Sequence, residues 1–592
     1  MGDLVYKCNI SHIKRRFSSI VLSSRQTLWP IVMEESSWFH SVILGLRAQA
    51  KSSPYFTTFL LLSLWVLSTR LITGLEKWKR QNQVSTSEKK IPILPYWIPY
   101  IGHAPEFAWS FDDLLAKGRN TTKDGMFGIH MMGSEHLMIL MPSLVHQFFG
   151  KRSTVLSGQD FLGWIFTKYF GDGGATENME SKRFQVVHQS LNQLMKEPFL
   201  SKATEKTIRL VENQTPTLIS FGSKPTAPAE WESMANVVRD GKSAEVDLFP
   251  LLVNYVADVA TNVLMGDAFL KNNPGITQDL WEFDSKFNAL LTGIPIITPG
   301  LAKAKEARKR LNSAVSEWNH AAMDTMNGKP VDEKWADMSD ISESMRSRLK
   351  SLQSIEAPEP FAVAQNLAVY WGLMVNANKV NFWMLLHIIS SPKLLSAIRK
   401  EITPFANFAF DTEKMNVDID GIMKYCPILK ATFFETMRFY TSGVSYKKVL
   451  QDVTLTESAE DAATFGKPIP QTYHIAKGTF LVVPHAVMQM DPRIWDQPSE
   501  FNPHRFLVPD QTSPNKMRAE MGRLYAFGGG TSVCKGRFFA EREVLIFTAG
   551  LLATWDFGPA DGGEWNIPGK YYNGTGTANP KGNVRVRMSR RV

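Results

Sequence analysis

One cysteine stands in a setting that could do chemistry. The run Phe527-Gly-Gly-Gly-Thr-Ser-Val-Cys534-Lys535-Gly536-Arg537-Phe-Phe-Ala540 is followed by EREVLIFTAGLLATW, whose apolar spacing suits a buried helix. A glycine-rich loop therefore delivers a thiol to a helix start. Glycine lets the backbone take positive φ and approach a flat group closely, and the positive end of the helix favours thiolate over thiol. A soft anionic donor of this kind suits iron. The bland alternative is a structural cysteine in a helix-capping loop, which is the common fate of a lone cysteine. The loop chemistry around Cys534 weighs against it.

Two other sets of residues add to this one. In YCPILKATFFETMRFY, Glu435 and Arg438 are three apart and share a helix face, where they can pair. Downstream, Pro503-His504-Arg505-Phe506 offers a second guanidinium. By itself an E-x-x-R means little, since surface helices are full of it. The other set is Trp371-Gly-Leu-Met-Val375-Asn376-Ala-Asn378-Lys379-Val-Asn381-Phe382-Trp383, where the Asn376 amide can hold a water or donate a hydrogen bond. The plain alternative is a satisfied polar residue in a helix core. No HExxH, P-loop or G-x-G-x-x-G fingerprint is present.

Taken in this order, the motifs resemble the cytochrome P450 superfamily from about residue 91 to Arg587. Phe527, Gly530, Cys534, Gly536 and Ala540 stand at the spacing of its haem-binding signature. The resemblance implies a mainly α fold with small β-sheets, and haem b lying between the Asn376 helix and the Cys534 loop. Cys534 would be the axial ligand of the iron, with Phe527, Gly530, Gly536 and Arg537 around the cofactor. Glu435, Arg438 and Arg505 would form a buried structural charge cluster. The oxygen-binding helix narrows the resemblance to the branch of sterol 7α- and 12α-hydroxylases and prostacyclin synthase. Val375 takes the place of the family's acid, Asn376 that of its threonine, and Phe382-Trp383 follows. Both count as catalytic positions, with the usual proton relay altered.

Ser532 occupies a position where many members place a base on a haem propionate. Lys447 in VSYKKVLQD aligns with another propionate-binding base, with Lys448 beside it as the confounder. No clear W-x-x-x-R follows residue 170; Arg183 and His188 are the substitutes on offer. The implied activity is that of an oxidoreductase: a monooxygenase that hydroxylates or otherwise oxidises a lipophilic small molecule. A sterol, terpenoid, polyketide or alkaloid intermediate of secondary-metabolite biosynthesis fits. Dioxygen and NADPH-derived electrons would be consumed, the latter through the flavins of a cytochrome P450 reductase, with cytochrome b5 as an optional second donor. Lys535 and Arg537 beside the ligand form a basic face for such a reductase, Lys535 being the surface contact. Two other readings stand beside it: a reductase-independent isomerase or dehydratase of the prostacyclin synthase kind, and a haem-binding protein that does no chemistry.

These residues need elements to hold them and a place in the cell. Residues 55–75, YFTTFLLLSLWVLSTRLITGL, are apolar and long enough to cross a bilayer, and no other segment resembles them. Arg70 lies near one end and can snorkel. Lys77, Lys79, Arg80, Lys89 and Lys90 follow, which by the positive-inside tendency keeps the body cytosolic, on a single-pass anchor in the endoplasmic reticulum. Residues 76–105 form a basic, proline-rich stretch that reads as a stiff hinge carrying Pro92, Pro95, Pro99 and Gly102. The catalytic domain is expected over 106–592, and residues 1–54 are an extension without an assigned role.

Composition agrees with a large folded enzyme. The chain has 592 residues, 44% hydrophobic and 21% charged, so a sizeable core can be buried without disulfides. Three cysteines, Cys8, Cys426 and Cys534, give no disulfide framework and point to a reducing compartment. The formal charge of +9 is not gathered into a basic tract, so an anionic membrane or an acidic partner fits better than nucleic acid. His485 and His504 read as packing or surface residues. Sequons at Asn120, Asn213 and Asn573 would go unused in the cytosol.

Overall fold

The computed structural model describes residues 53–82, 90–221, 228–292, 298–511, 513, 516–572 and 576–591. The extension, Cys8, Lys89 and Asn573 thus lie outside the described residues, apart from Ser53 and Pro54.

Helix α1 (Pro54–Gln81) covers the anchor segment. Its apolar side chains are mostly exposed, with Tyr55, Phe59, Leu61 and Leu71 each more than 60% open. Arg70 sets its guanidinium over the Trp97 ring, 5.1 Å from the centroid. The helix runs six residues past the anchor, so Lys77, Lys79 and Arg80 sit on its last turns. From Thr73 onward the chain groups with the body, Trp97–Pro99 excepted. Arg80 Nη1 donates to the Ile91 carbonyl at 3.1 Å and Gln81 Nε2 to that of Thr121 at 2.7 Å. The proline-rich stretch is partly built into the body. Ile91 and Leu94 are buried, and Leu94 N–H donates to the Gly128 carbonyl while Gly128 N–H donates to that of Pro92, both at 2.8 Å. Prolines suit that edge position because they withhold donors a central strand would need.

The body is mainly helical with small sheets, as expected. Strands β1 (Met126–Met131) and β2 (Ser134–Ile139) form an antiparallel hairpin. Helices α2 (Pro142–Gly150), α3 (Ser181–Ser190), α4 (Leu248–Met265) and α5 (Ile276–Asp284) come next among others. The candidate oxygen helix is split into α6 (Glu359–Met374) and α7 (Ala377–Ile389), followed by α8 (Pro427–Tyr440). Strands β3 (Val444–Val449) and β4 (Phe480–Pro484) join the hairpin in the order β1-β2-β4-β3, with Leu156–Ser157 on the outer edge. Helix α9 (Arg537–Thr554) leaves the cysteine loop.

Helix α4 corrects one expectation. It is as apolar and as long as a membrane span, yet 78% of its most apolar stretch is buried in the body, against 6% for α1. Its Leu, Val and Tyr side chains face protein on nearly every side. Helix α7 is the other fully enclosed element, with all thirteen residues buried. Its polar members therefore need partners. Asn381 Nδ2 donates to Thr548 Oγ1 of α9 at 3.0 Å, and His387 Nε2 lies 2.7 Å from Tyr440 Oη of α8. Trp383 stacks on Tyr440 at 3.9 Å and donates to the Ala578 carbonyl at 2.8 Å. Helix α8 begins with Pro427, and the Glu401 carboxylate accepts the N–H groups of Ile428 and Leu429 at its positive end. So α7, α8 and α9 are locked side by side, and each carries one of the motifs.

Candidate active site

The cysteine loop has the shape its glycines suggest, with one difference. Gly528 and Gly530 have φ of +70° and +57°. A Cβ on Gly529 would fall 2.7 Å from the Phe149 ring, and one on Gly530 2.4 Å from the Phe149 carbonyl oxygen. The loop is thus pressed onto the end of α2, where only glycine fits. Gly536, by contrast, has ordinary backbone at φ −87° and caps the start of α9. A Cβ there would sit 3.9 Å from Cys534 Sγ, so the residue is small beside the sulfur rather than turned to the left-handed region. The Cys534 N–H closes the loop on the Phe527 carbonyl at 2.9 Å.

Cys534 has open surface. Even so, burial pushes its thiol up, outweighing the Gly536 N–H, the charges of Arg537 and Lys535, and the Arg537 N–H, all of which pull it down. The helix start therefore favours the thiolate, as expected, but burial is the larger effect. The side chain is thus exposed at its surface while the protein around it still disfavours the thiolate. His188 repeats the pattern: it is exposed, yet burial lowers its pKa first, followed by the charges of Lys535 and Arg348. This donor set suits a haem iron: a soft sulfur, two N–H groups aimed at it, and a glycine-lined approach.

On the other side of α9 lies the interrupted helix. Val375 N–H still bonds the Trp371 carbonyl and Val380 N–H that of Asn376, at 3.1 and 3.0 Å. Between them, the N–H groups of Asn376 and Lys379 do not reach the carbonyls four residues earlier. Lys379 N–H is taken by Asn378 Oδ1 at 2.7 Å instead. A Cβ on Gly372, one turn before Asn376, would meet nothing within 4 Å. Asn376 is half-buried, and its Oδ1 accepts from Thr577 Oγ1 at 3.3 Å. Val375 is completely buried. It offers no polar atom, so it packs where the family's acid would act.

The charge cluster is assembled in full. Arg438 Nε and Nη2 grip Glu435 Oε2 and Oε1 at 2.7 and 2.8 Å, and Arg505 Nε reaches Oε1 at 3.1 Å. Asn502 N–H adds a fourth bond at 2.8 Å. The remaining guanidinium N–H groups go to carbonyls of Gln489, Pro498 and Glu500. Glu435 and Arg438 have no exposed surface. Two cations share one anion, with the surplus spread over carbonyl dipoles.

The basic candidates separate cleanly. Strand alternation turns Lys447 inward, where burial lowers its pKa and Nζ donates to the Phe148 carbonyl at 3.2 Å. Lys448 points the other way and pairs with Asp160 at 2.9 Å. Arg537 Nη1 donates to the Cys534 carbonyl at 3.0 Å and so ties down the loop. Arg183 bonds the carbonyls of Ile355 and Glu356, while His188 feels the charge of Lys535 next to the cysteine. His485 is buried, pushed down to about 4, and hydrogen-bonded to Ser445 at 2.9 Å, a packing residue as expected.

Several residues that shape the site were missed. Phe149 moulds the glycine loop, Gly576 and Thr577 hold Asn376, and Asp284 pairs with Lys379. Only Lys379 left a sequence signal, as a lone cation in an apolar run. A Cβ on Gly576 would come 2.6 Å from Asn376 Oδ1.

Comparison with known proteins fits this geometry. The cytochrome P450 family model matches residues 92–586. Cytochrome P450 monooxygenase efuG of Hormonema carpetanum is 24% identical over 547 residues, which is 84% of this chain and 90% of that protein. Cytochrome P450 7A1 of Oryctolagus cuniculus is 23% identical over 491 residues, 78% of this chain and 86% of the relative. The solved structure titled retinoic acid bound cyanobacterial CYP120A1 has the same fold, with a TM-score of 0.58 at 17% identity, covering 85% of this chain and 100% of that one. A glycine-moulded cysteine at a helix start, a buried Glu-Arg-Arg cluster and a family match over most of the length lead to one conclusion: the chain belongs to the cytochrome P450 family of haem-dependent monooxygenases.

Proposed function

We propose that the chain is a membrane-anchored haem-thiolate monooxygenase that inserts oxygen into a lipophilic small molecule, with Cys534 as the axial ligand of the iron. The observation that carries this reading is the exposed Cys534 side chain at the end of a glycine-moulded loop, flanked by the N–H groups of Gly536 and Arg537. Bound there, haem b supplies the activation of dioxygen and its insertion into an unactivated C–H bond. The protein's share is positioning. Gly536 and Arg537 N–H groups stabilise the anionic sulfur, and Phe149 presses Gly529 and Gly530 into a shape that lets the cofactor approach. Phe527 and Arg537 hold the loop closed, and Lys447 is the base that would neutralise a haem propionate. Thr577 occupies the Asn376 amide oxygen and leaves its Nδ2 as the donor the side chain can offer.

Residues 55–75 are assigned as the anchor, 76–105 as the basic and proline-rich connection, and 106–592 as the catalytic domain. Exposed apolar side chains on α1 and the basic turns after it support a single-pass chain in the endoplasmic reticulum membrane with a cytosolic body. A membrane-borne substrate such as a sterol, terpenoid, polyketide or alkaloid intermediate suits that setting, within secondary-metabolite biosynthesis. Electrons come from NADPH through a flavoprotein reductase, with cytochrome b5 as an optional second donor. Lys535 beside the ligand is the docking cation. Lys535→Glu is expected to slow reductase-driven turnover severalfold while leaving peroxide-driven turnover near the parent rate; equal slowing of both would remove the docking role.

Reconstitution with reductase and labelled dioxygen tests the central reading. Product carrying one labelled oxygen, formed only with NADPH, is the expected result. A second reading is favoured by one observation: the acid position is filled by the buried, non-polar Val375. On that reading the chain is an isomerase or dehydratase acting on an already oxidised substrate. Turnover without air or NADPH would establish it and sink the monooxygenase reading.

A further inference from the structure

The interruption between α6 and α7 is held by a residue far away in sequence. Asp284, the last residue of α5, accepts from Trp371 Nε1 on Oδ1 at 3.0 Å and from Lys379 Nζ on Oδ2 at 3.1 Å. Trp371 stands in α6, four residues before Val375, and Lys379 in α7, three residues after Asn376. One carboxylate therefore grips both sides of the break.

We propose that Asp284 is a positioning residue: it clamps the two halves of the interrupted helix and so sets where the Asn376 side chain stands. Three observations support a geometric role. The Asp284 and Lys379 side chains are only 5% and 3% exposed, and a buried pair of this kind is often no more stabilising than an apolar pair of the same volume. Asp284 sits at the C-terminal end of α5, where the helix dipole disfavours a carboxylate. The pair also spans a stretch that has lost its ladder bonds, where the backbone alone sets no angle. Aromatic rings seal the clamp: Trp371 stacks on Phe287 at 5.8 Å and 9°, and Tyr169 on Phe283 at 4.1 Å. Water is kept from the ion pair, which sharpens its directionality.

The inference rests on the proposed haem site only for what it says of Asn376. Its test therefore pairs a readout that needs the haem with one that does not. In the full-length, haem-loaded chain, amide exchange over residues 371–383 is compared with the stretching frequency of carbon monoxide bound to the reduced iron. Asp284→Asn keeps an acceptor for Trp371 but removes the charge. It is expected to speed exchange across the break by about tenfold and to shift or split the carbon monoxide band. Lys379→Arg, which retains the pair, should stay close to the parent in both. Asp284→Leu with Lys379→Met restores an apolar interior and keeps the question open to test if Asp284→Asn unfolds. That double variant is expected to fold and to keep the altered band. Parent-like exchange and band in Asp284→Asn, or recovery of both in the double variant, would reduce the pair to a mere prop of the fold and overturn the inference. Absence of the thiolate-type spectrum in the parent would instead strike at Cys534, and the exchange comparison would still report on the clamp.

Discussion

Carbon monoxide added to the reduced full-length chain is expected to give a Soret band at about 450 nm, and Cys534→Ala to abolish it together with all turnover. The effect should be total because, among the described residues, the second thiol is out of play. Cys426, the other described cysteine, is buried, pushed up to about 12, and hydrogen-bonded to the Glu401 carbonyl at 3.4 Å. Cys534→Ser is the informative companion, since a hydroxyl keeps the size of the side chain but not the soft anionic donor. Haem retained without the band at about 450 nm would separate ligand identity from pocket integrity. A persistent band in well-folded Cys534→Ala would remove Cys534 from the iron.

The second large effect is expected at Glu435. Glu435→Gln leaves Arg438, which has no exposed surface, and Arg505 facing a neutral amide. Breaking one partner of such a buried cluster costs about 3–5 kcal/mol, comparable with half the stability of many domains. Because α8 lies against the elements that carry the cysteine loop, the loss should appear as poor haem retention and a lower unfolding midpoint before any direct effect on chemistry. Unfolding of the haem-loaded protein followed by circular dichroism, beside the Soret absorbance, checks this. A stable Glu435→Gln chain with full haem content would show that carbonyl dipoles alone hold the two guanidinium groups.

Those two sites were also the most legible in the sequence, and for a physical reason. The glycine loop and the E-x-x-R helix are local: turn chemistry and the helical repeat fix their spacing. Arg505 was reachable because Pro503 and Phe506 frame it. The details around Asn376 were not, because they depend on chain segments brought together only by folding. Thr577 lies 201 residues downstream of Asn376 and Asp284 lies 95 residues before Lys379, and neither separation leaves a periodic trace. Phe149, which dictates the glycines at 529 and 530, is more remote still. Which of Lys447 and Lys448 turns inward is a matter of strand parity, and it follows from the register of β3 on β4. The apolar run of α4 was masked by Asn254, Asp258 and Asn262, which interrupt it, although its mean hydropathy of 1.5 is close to the 1.6 of the anchor helix.

That resemblance between α1 and α4 bears on how the chain is made. At a synthesis rate of about 5–20 residues per second, α4 leaves the ribosome roughly ten to forty seconds after α1. On the anchored reading proposed above, an insertion machinery that accepts α1 then meets a second apolar span. Asn254, Asp258, Thr261 and Asn262 weigh against insertion of α4 into a bilayer. Nascent chains stalled or slowed in that window are the ones exposed to wrong topology, and a version shortened to remove α1 still carries the second hazard into solution.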